Sequence, residues 1–160
     1  MTDAPHAPPA CPQVLYVEDD VFSARVMAAL FEFRPHLRLH VAPDGAQAIA
    51  LAARLRRPPQ LLLLDQRLPD CRGTELLPLL RARFSWHDVP AIAVTAESDL
   101  DAAAAGYVEM WQKPLDLKAV LARLDGLLPR AAEPPPSRGL FTPRGGADQP
   151  RRFAASAGIS

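Results

Sequence analysis

Five short apolar runs constrain the fold of this chain more than any other feature of its sequence. Three of them are continuously apolar, which is typical of strands buried on both faces of a sheet. The other two mix apolar with polar residues, as more exposed strands do. The predicted strands cover residues 14–17, 37–41, 61–64, 91–94 and 107–111.

Segments with helical spacing of apolar residues separate most of these strands. Such alternation predicts an α/β fold with helices on both faces of a parallel sheet, and right-handed crossovers leave few topologies. We expect a doubly wound, flavodoxin-like sheet of five parallel strands in the order 2-1-3-4-5. Pro78 should kink or shorten the third helix. The predicted helices cover residues 21–33, 45–53, 73–81 and 117–128.

Proline is concentrated at the two ends of the chain. Four prolines lie within the first twelve residues and six lie from residue 129 onward. Proline removes backbone donors and favours extended conformations. We expect residues 1–12 to be a flexible arm, residues 13–128 to be one folded domain, and residues 129–160 to be a disordered tail rich in proline, arginine and glycine, because few large apolar residues occur there.

Composition excludes several classes of protein. Eighteen basic and eighteen acidic residues give no net charge, which argues against a protein that coats nucleic acid. Two cysteines are too few for a disulfide framework or a four-ligand zinc site. No apolar run is long enough to cross a bilayer, and the first residues lack signal-peptide features. We therefore expect a cytoplasmic protein that does not insert into membranes.

Polar side chains follow four of the five predicted strands, at the point where each strand ends. Ligands of open α/β sheets bind in the crevice outside these ends. Neighbouring carboxylates resist ionising together, and Mg²⁺ prefers carboxylate and water oxygens. A hydroxyl and an ammonium group at the same edge can bind phosphoryl oxygens. The residues are Glu18, Asp19, Asp20, Asp65, Thr95 and Lys113.

The position of Asp65 at the end of the central strand suits a nucleophile that forms an acyl phosphate. The reaction would be in-line phosphoryl transfer. Across about residues 13–128, the chain resembles a response-regulator receiver domain of bacterial two-component signalling. Four pieces in order carry the resemblance, namely VLYVEDD at 14–20, LDQRLPDCRG at 64–73, VTA at 94–96 and KP at 113–114.

The resemblance implies a role for each matching residue. Asp65 would be the phosphoacceptor, Thr95 the switch hydroxyl and Lys113 the lysine that pairs with the phosphoryl group, while the small Ala96 leaves room for that group. It also implies a cis peptide bond between Lys113 and Pro114. Mg²⁺, for which Mn²⁺ can substitute, would be held with Asp19 as a direct ligand and the backbone carbonyl of residue 67 as another. The implied metal set is Glu18, Asp19, Asp65 and Arg67.

Two departures from the family pattern concern the segment between the fourth and fifth strands. Only 18 residues separate Thr95 from Lys113, about four fewer than the resemblance implies, or roughly one helical turn. The helix expected there should be short, distorted or absent. Met110 occupies the position of the family's switch aromatic, with Tyr107 and Trp111 nearby. We therefore expect the usual aromatic coupling and the usual dimer to be altered.

The resemblance implies phosphorelay signalling. A sensor histidine kinase or a histidine phosphotransfer protein would donate a phosphoryl group to Asp65, docking on the first helix and the loop after Lys113. Beyond its own phosphotransfer and dephosphorylation, we expect no enzyme activity. Output would pass by contact to an unidentified downstream protein, or the domain would act as a phosphate sink; no nucleic-acid partner is expected. Across the site, Arg67 could pair with Glu97 and restrict the water that attacks the acyl phosphate.

Three alternatives remain open at this point. The chain could be a receiver-like adaptor that signals by binding alone, which the altered segment after Thr95 would permit. An aspartyl phosphatase of the haloacid-dehalogenase type is disfavoured, because Asp65-Gln66-Arg67 lacks the second carboxylate of that motif. Nucleic-acid binding through the arginine-bearing tail is disfavoured by the neutral overall charge.

Overall fold

A computed structural model describes residues 11–130, in which five parallel strands form one sheet in the order β2-β1-β3-β4-β5. The predicted fold class and strand order are confirmed. The second and fifth strands lie one to two residues later than predicted, so Tyr107 precedes the sheet. The strands are β1 (Gln13–Val17), β2 (Arg38–Ala42), β3 (Leu61–Asp65), β4 (Ala91–Thr95) and β5 (Glu109–Gln112).

Within the described residues four helices cover the sheet, and three of them are capped by an aspartate. The side chains of Asp20, Asp44 and Asp116 accept hydrogen bonds from backbone amides in the first turns of α1, α2 and α4. Such caps satisfy donors that have no partner inside the helix. The helices are α1 (Val21–Glu32), α2 (Gly45–Arg54), α3 (Gly73–Phe84) and α4 (Leu117–Leu127).

The sheet separates two apolar cores, because successive strand residues point to opposite faces. Leu15 and Val17 pack with the apolar faces of α2 and α3, whereas Val14 and Tyr16 pack with those of α1 and α4. All five residues of β3 are buried, as expected for the central strand. This two-sided burial fixes the register that brings the strand ends together.

The third helix continues through Pro78 to Phe84, so it does not end early, and the kink that was the other expected effect stays a prediction. Pro78 lies in the second turn of α3 and is exposed. A proline inside a helix costs about 3 kcal/mol, but burial of Leu76, Leu77 and Leu80 on the same helix contributes roughly 1.5–3 kcal/mol each. Ser85, the residue that follows the helix, adopts the left-handed conformation at φ 58°.

The connection from β4 to β5 contains no helix, which confirms the prediction of a short or absent one. A single turn replaces it, in which Asp101 accepts hydrogen bonds from the amides of Ala104 (3.0 Å, side chain) and Ala105 (3.1 Å, backbone). None of the helices within residues 11–130 has the length and apolarity needed to cross a membrane. The predicted arm and tail lie almost wholly outside the described residues and stay predictions.

Candidate functional site

The carboxyl edge of the sheet places the predicted polar residues side by side. Asp65 and Thr95 are the last residues of β3 and β4, and Lys113 directly follows β5. The backbone amide of Lys113 donates to the carbonyl of Thr95 at 2.8 Å, which extends the β4–β5 pairing to this residue. Parallel pairing therefore positions the hydroxyl and the ammonium group at one edge.

Lys113 bridges two buried carboxylates. Its Nζ lies 2.5 Å from Glu18 Oε2 and 3.1 Å from Asp65 Oδ2. The Glu18 side chain also accepts hydrogen bonds from the Tyr16 hydroxyl (2.9 Å) and the Asp20 amide (3.1 Å). One cation thus partly neutralises two negative groups from different strands.

Burial sets the protonation behaviour of this cluster. The pKa of Glu18 is raised, chiefly by desolvation and also by the charge of Asp65, despite the hydrogen bond from Lys113. Burial acts to lower the pKa of Lys113, but its contacts with Glu18 and Asp65 outweigh burial and raise it. Burial and the adjacent Glu18 charge likewise raise the pKa of Tyr16. The cluster therefore holds an excess of negative charge that a further cation would stabilise.

Three carboxylates have the chemistry of a Mg²⁺ site. One oxygen each of Glu18, Asp19 and Asp65 lies within 4.8 Å of the others. Asp19 is exposed whereas the other two are buried, so the set opens toward solvent on one side. Carboxylates together with open positions for water are what Mg²⁺ requires. The backbone carbonyl of Arg67, also predicted as a ligand, stays a prediction.

A cleft of about 370 Å³ lies directly above the phosphoacceptor candidate, and Asp65, Thr95, Ala96 and Lys113 line it. The Thr95 hydroxyl oxygen accepts a hydrogen bond from the Glu97 amide at 3.0 Å, which leaves its proton available for a ligand. Asp65 Oδ1 accepts from the Arg67 amide at 3.1 Å. The cleft therefore contains a carboxylate, a hydroxyl and an ammonium group with room beside them.

Glu97 forms two ion pairs at the rim of this cleft. Arg67 Nε lies 2.9 Å from Glu97 Oε1, so the pair predicted from sequence is present, and Arg72 Nη2 lies 2.7 Å from Oε2. These two arginines lower the pKa of Glu97. Sequence reasoning missed Arg72, which stands at the end of a loop whose fold the sequence does not reveal.

Gln66, the residue after Asp65, was also missed. It is fully buried; its Nε2 donates to the Tyr107 hydroxyl at 2.9 Å, and its Oε1 accepts from the Thr74 amide at 3.1 Å. Gly73 lies so close that a Cβ there would be 2.5 Å from the Asp65 carbonyl oxygen. Gln66 therefore joins the end of β3, α3 and the segment before β5. The available signal was only a glutamine directly after an apolar strand, because its burial is not visible in the sequence.

An exposed apolar surface adjoins Lys113. Phe22 is 76% exposed and lines a cavity of about 350 Å³ together with Val26, Pro114 and Leu117. The Lys113–Pro114 peptide bond in its wall is cis, as predicted. Contiguous exposed apolar side chains of this kind mark interaction surfaces.

Comparison with known proteins agrees with this geometry. The family model described as the response regulator receiver domain matches residues 14–125. The transcriptional regulatory protein CitT of Halalkalibacterium halodurans is 29% identical over 118 residues, which are 71% of this chain and 50% of that protein. The sensory transduction protein RegX3 of Mycolicibacterium smegmatis is 35% identical over 124 residues, or 75% of this chain and 52% of that protein. The chain spans about half the length of these curated relatives.

Solved structures show the same fold. Chemotaxis response regulator CheY4 of Vibrio cholerae superimposes with a TM-score of 0.65 at 21% identity, covering 73% of this chain and 98% of that one. The non-phosphorylated HemR receiver domain of Leptospira biflexa gives a TM-score of 0.63 at 26% identity, covering 78% and 99%.

Proposed function

This chain belongs to the receiver-domain family of two-component response regulators, and from that premise we propose that Asp65 accepts a phosphoryl group from a phosphohistidine donor. The observation that carries the proposal is the convergence of Asp65, Thr95 and Lys113 on one cleft. Phosphorelay signalling is the family's role, and the donor, the metal and the output are the proposed particulars.

The proposed step is an in-line displacement at phosphorus. A carboxylate oxygen of Asp65 forms the new P–O bond as the P–N bond to the donor imidazole breaks, and the imidazole leaves with the bonding electrons. Lys113 neutralises charge on a phosphoryl oxygen, and the Thr95 hydroxyl donates to another. The chain's catalysis is limited to this transfer and to the later hydrolysis of its own acyl phosphate.

Glu18, Asp19 and Asp65, with the carbonyl of Arg67, are the residues proposed to hold Mg²⁺, and Mn²⁺ is expected to substitute. When bound, the ion supplies positive charge next to the phosphoryl oxygens. Asp19 is the exposed member of the set and gives solvent access to it. The buried Glu18 carboxylate is also paired with Lys113, so it holds that lysine toward Asp65 as well.

Two parallel experiments test this directly on the full chain with Mg²⁺. In the first, acetyl phosphate is added and intact mass detects phosphorylation. In the second, beryllofluoride is added instead and fluorine NMR detects the adduct. Asp65→Asn should abolish both signals, and omission of Mg²⁺ should reduce them to background. Asp99→Asn, a matched change at an exposed carboxylate of the same cleft, should retain both. Phosphorylation that persists in Asp65→Asn would contradict the assignment.

We propose that the phosphohistidine donor packs on the apolar surface formed by Phe22, Val26, Pro114 and Leu117. This surface adjoins Lys113, so a helical donor seated there would present its histidine to the cleft. The partner is a sensor histidine kinase or a histidine phosphotransfer protein.

With a panel of phosphorylated phosphotransfer domains as donors, Phe22→Ala should slow transfer markedly. Phe33→Ala, which truncates an equally exposed ring at the other end of α1, should not.

A second candidate is an adaptor whose binding does not depend on phosphorylation. The missing helix between β4 and β5 favours it, because that segment carries the usual output surface of the family. The two candidates differ in one measurement. An adaptor would bind its downstream protein equally well before and after acetyl phosphate treatment, whereas a phosphorylation-dependent receiver would change its affinity.

A further inference from the structure

A cluster of arginines lies at the opposite end of the sheet from Asp65. Arg38 begins the edge strand β2, Arg54 ends α2, and Arg56 and Arg57 occupy the bend that follows. All four line one cavity of about 400 Å³, which we name the arginine cleft. None of the residues that line the cleft beside Asp65 also lines the arginine cleft, so the two are separate.

These four guanidinium groups differ in their charge environment from Arg34, Arg67, Arg72 and Arg123. None of the four forms an ion pair with a carboxylate in the part of the chain that the structure describes. Four like charges that line one concavity repel one another, and that repulsion is relieved by a bound anion. By contrast, carboxylates within 4.0 Å pair with Arg34, Arg67, Arg72 and Arg123.

A histidine in the wall of the arginine cleft is affected by the positive charge of one of its arginines. His40 stands two residues after Arg38 on β2, and its Nε2 lies 2.8 Å from Gln13 Oε1. The pKa of His40 is lowered, first by partial burial and second by the positive charge of Arg38. The second cause places His40 close enough to the arginine cleft for the charge of Arg38 to act on it.

We propose that the arginine cleft binds a small ligand with two or more adjacent phosphate groups. Planar guanidinium groups bind phosphate oxygens in pairs, so four of them match several phosphates better than one. The cavity volume lies within the range of small-molecule sites, roughly 300–1,000 Å³. Such a site would give the domain a second input, independent of phosphorylation at Asp65.

The experiment measures binding of inorganic tripolyphosphate to the full chain by calorimetry, with the His40 ring resonances as a local reporter. Saturable binding that shifts the His40 signals is expected, with weaker binding of inorganic phosphate. Arg56→Gln/Arg57→Gln should weaken binding at least tenfold and remove the His40 response. Arg56→Lys/Arg57→Lys keeps the charge but loses paired hydrogen bonds, so an intermediate loss is expected.

A matched control removes the same charge elsewhere. Arg25→Gln/Arg83→Gln changes two exposed arginines outside the arginine cleft and should leave binding within about twofold of the wild type, since distant surface charges are screened by salt. Equal losses in both double glutamine variants, an unchanged His40 signal or no saturation would overturn the proposal. Tighter binding of single-stranded RNA or polyglutamate than of tripolyphosphate, with loss confined to the Arg56/Arg57 variant, would assign the cleft to a macromolecule and also overturn it.

Discussion

The cleft lined by Asp65, Thr95 and Lys113 and the β4–β5 connection are neighbours in the structure, but only the cleft follows the family pattern. At the cleft, Asp65, Thr95 and Lys113 all stand where parallel strands end. In the connection, residues 96–108 make one turn instead of a helix. The chemistry of the site depends on strand ends that the sheet fixes, whereas the connection can vary as long as its ends still reach β4 and β5.

This difference separates the acceptance of phosphate from its transmission. The groups proposed to accept the phosphoryl group are present, but Met110 replaces the aromatic residue and the helix beside it is missing. The nearby aromatic residue Tyr107 is buried, and its hydroxyl accepts a hydrogen bond from Gln66. Coupling in this protein is therefore expected to pass through Gln66 and Tyr107, which link the end of β3 to the altered segment.

The largest expected effect follows from removing the cation of the cleft. Lys113→Met should lower the free energy of unfolding by about 3 kcal/mol in EDTA at pH 8, because the buried Glu18 carboxylate loses its ion pair. Phosphorylation by acetyl phosphate should also fall sharply. Chemical denaturation and intact mass measure the two effects. Lys118→Met, which changes the exposed second lysine, should alter stability by less than about 0.5 kcal/mol.

The stability loss in Lys113→Met should depend on pH. Glu18 has a pKa raised above its usual value, so its protonated form favours the folded state, and this contribution is lost as pH rises through the folded-state pKa. Without Lys113 the pKa rises further. The difference from the wild type should therefore be smaller at pH 5 than at pH 8. An equal difference at both values would contradict this account of Glu18.

A smaller loss of stability is expected when the hydrogen bond between Gln66 and Tyr107 is removed, which joins the cleft to the β4–β5 connection. Tyr107→Phe leaves the buried Gln66 amide without its acceptor and should lower the free energy of unfolding by about 1–2 kcal/mol. Denaturant titration measures it. Val108→Ala, next along the chain but exposed, should have little effect. If Tyr107→Phe is as stable as the wild type, the Gln66–Tyr107 bond does not stabilise the connection.

Much of this architecture was predictable, because the strand ends carry the signal. The alternation of apolar runs with helical segments predicted the strand order. Polar residues just after four of the five runs predicted the candidate site, namely Glu18, Asp65, Thr95 and Lys113. The shortened spacing to Lys113 predicted the missing helix. These inferences hold because a strand's position is set by burial, and burial is visible in the pattern of apolar residues.

What the sequence did not reveal depends on loop conformation. Arg72 reaches Glu97 only because the loop from residue 66 to residue 72 folds back, with Arg67 and Arg72 paired in an isolated bridge. Pro78 suggested a kink or an early helix end. The helix continues past it, because local preference does not account for the burial of three leucines on α3. In both cases the deciding contacts are distant in sequence.

The ion pairs of Glu97 link the loop after β3 to the segment after β4 at the rim of the cleft. We expect Arg67→Ala/Arg72→Ala to shorten the lifetime of the acyl phosphate severalfold, because release of Glu97 opens the rim to water. Each single variant should have less effect, since one pair remains. The lifetime of the acyl phosphate is measured from the decay of the phosphorylated form after removal of acetyl phosphate. Arg83→Ala serves as the control variant. An unchanged lifetime in the double variant would show that the pairs do not exclude water.

The smallest effect is expected in the turn that replaces the helix. Asp101 accepts from the Ala104 amide, so Asp101→Ala should lower the free energy of unfolding by about 0.5–1 kcal/mol, as loss of a capping residue does. Hydrogen exchange should accelerate at Ala104 and Ala105 and stay unchanged in α3, because the turn can open locally. Asp99→Ala should change neither measurement. Faster exchange throughout α3 would instead show that the connection and the rest of the domain unfold as one unit.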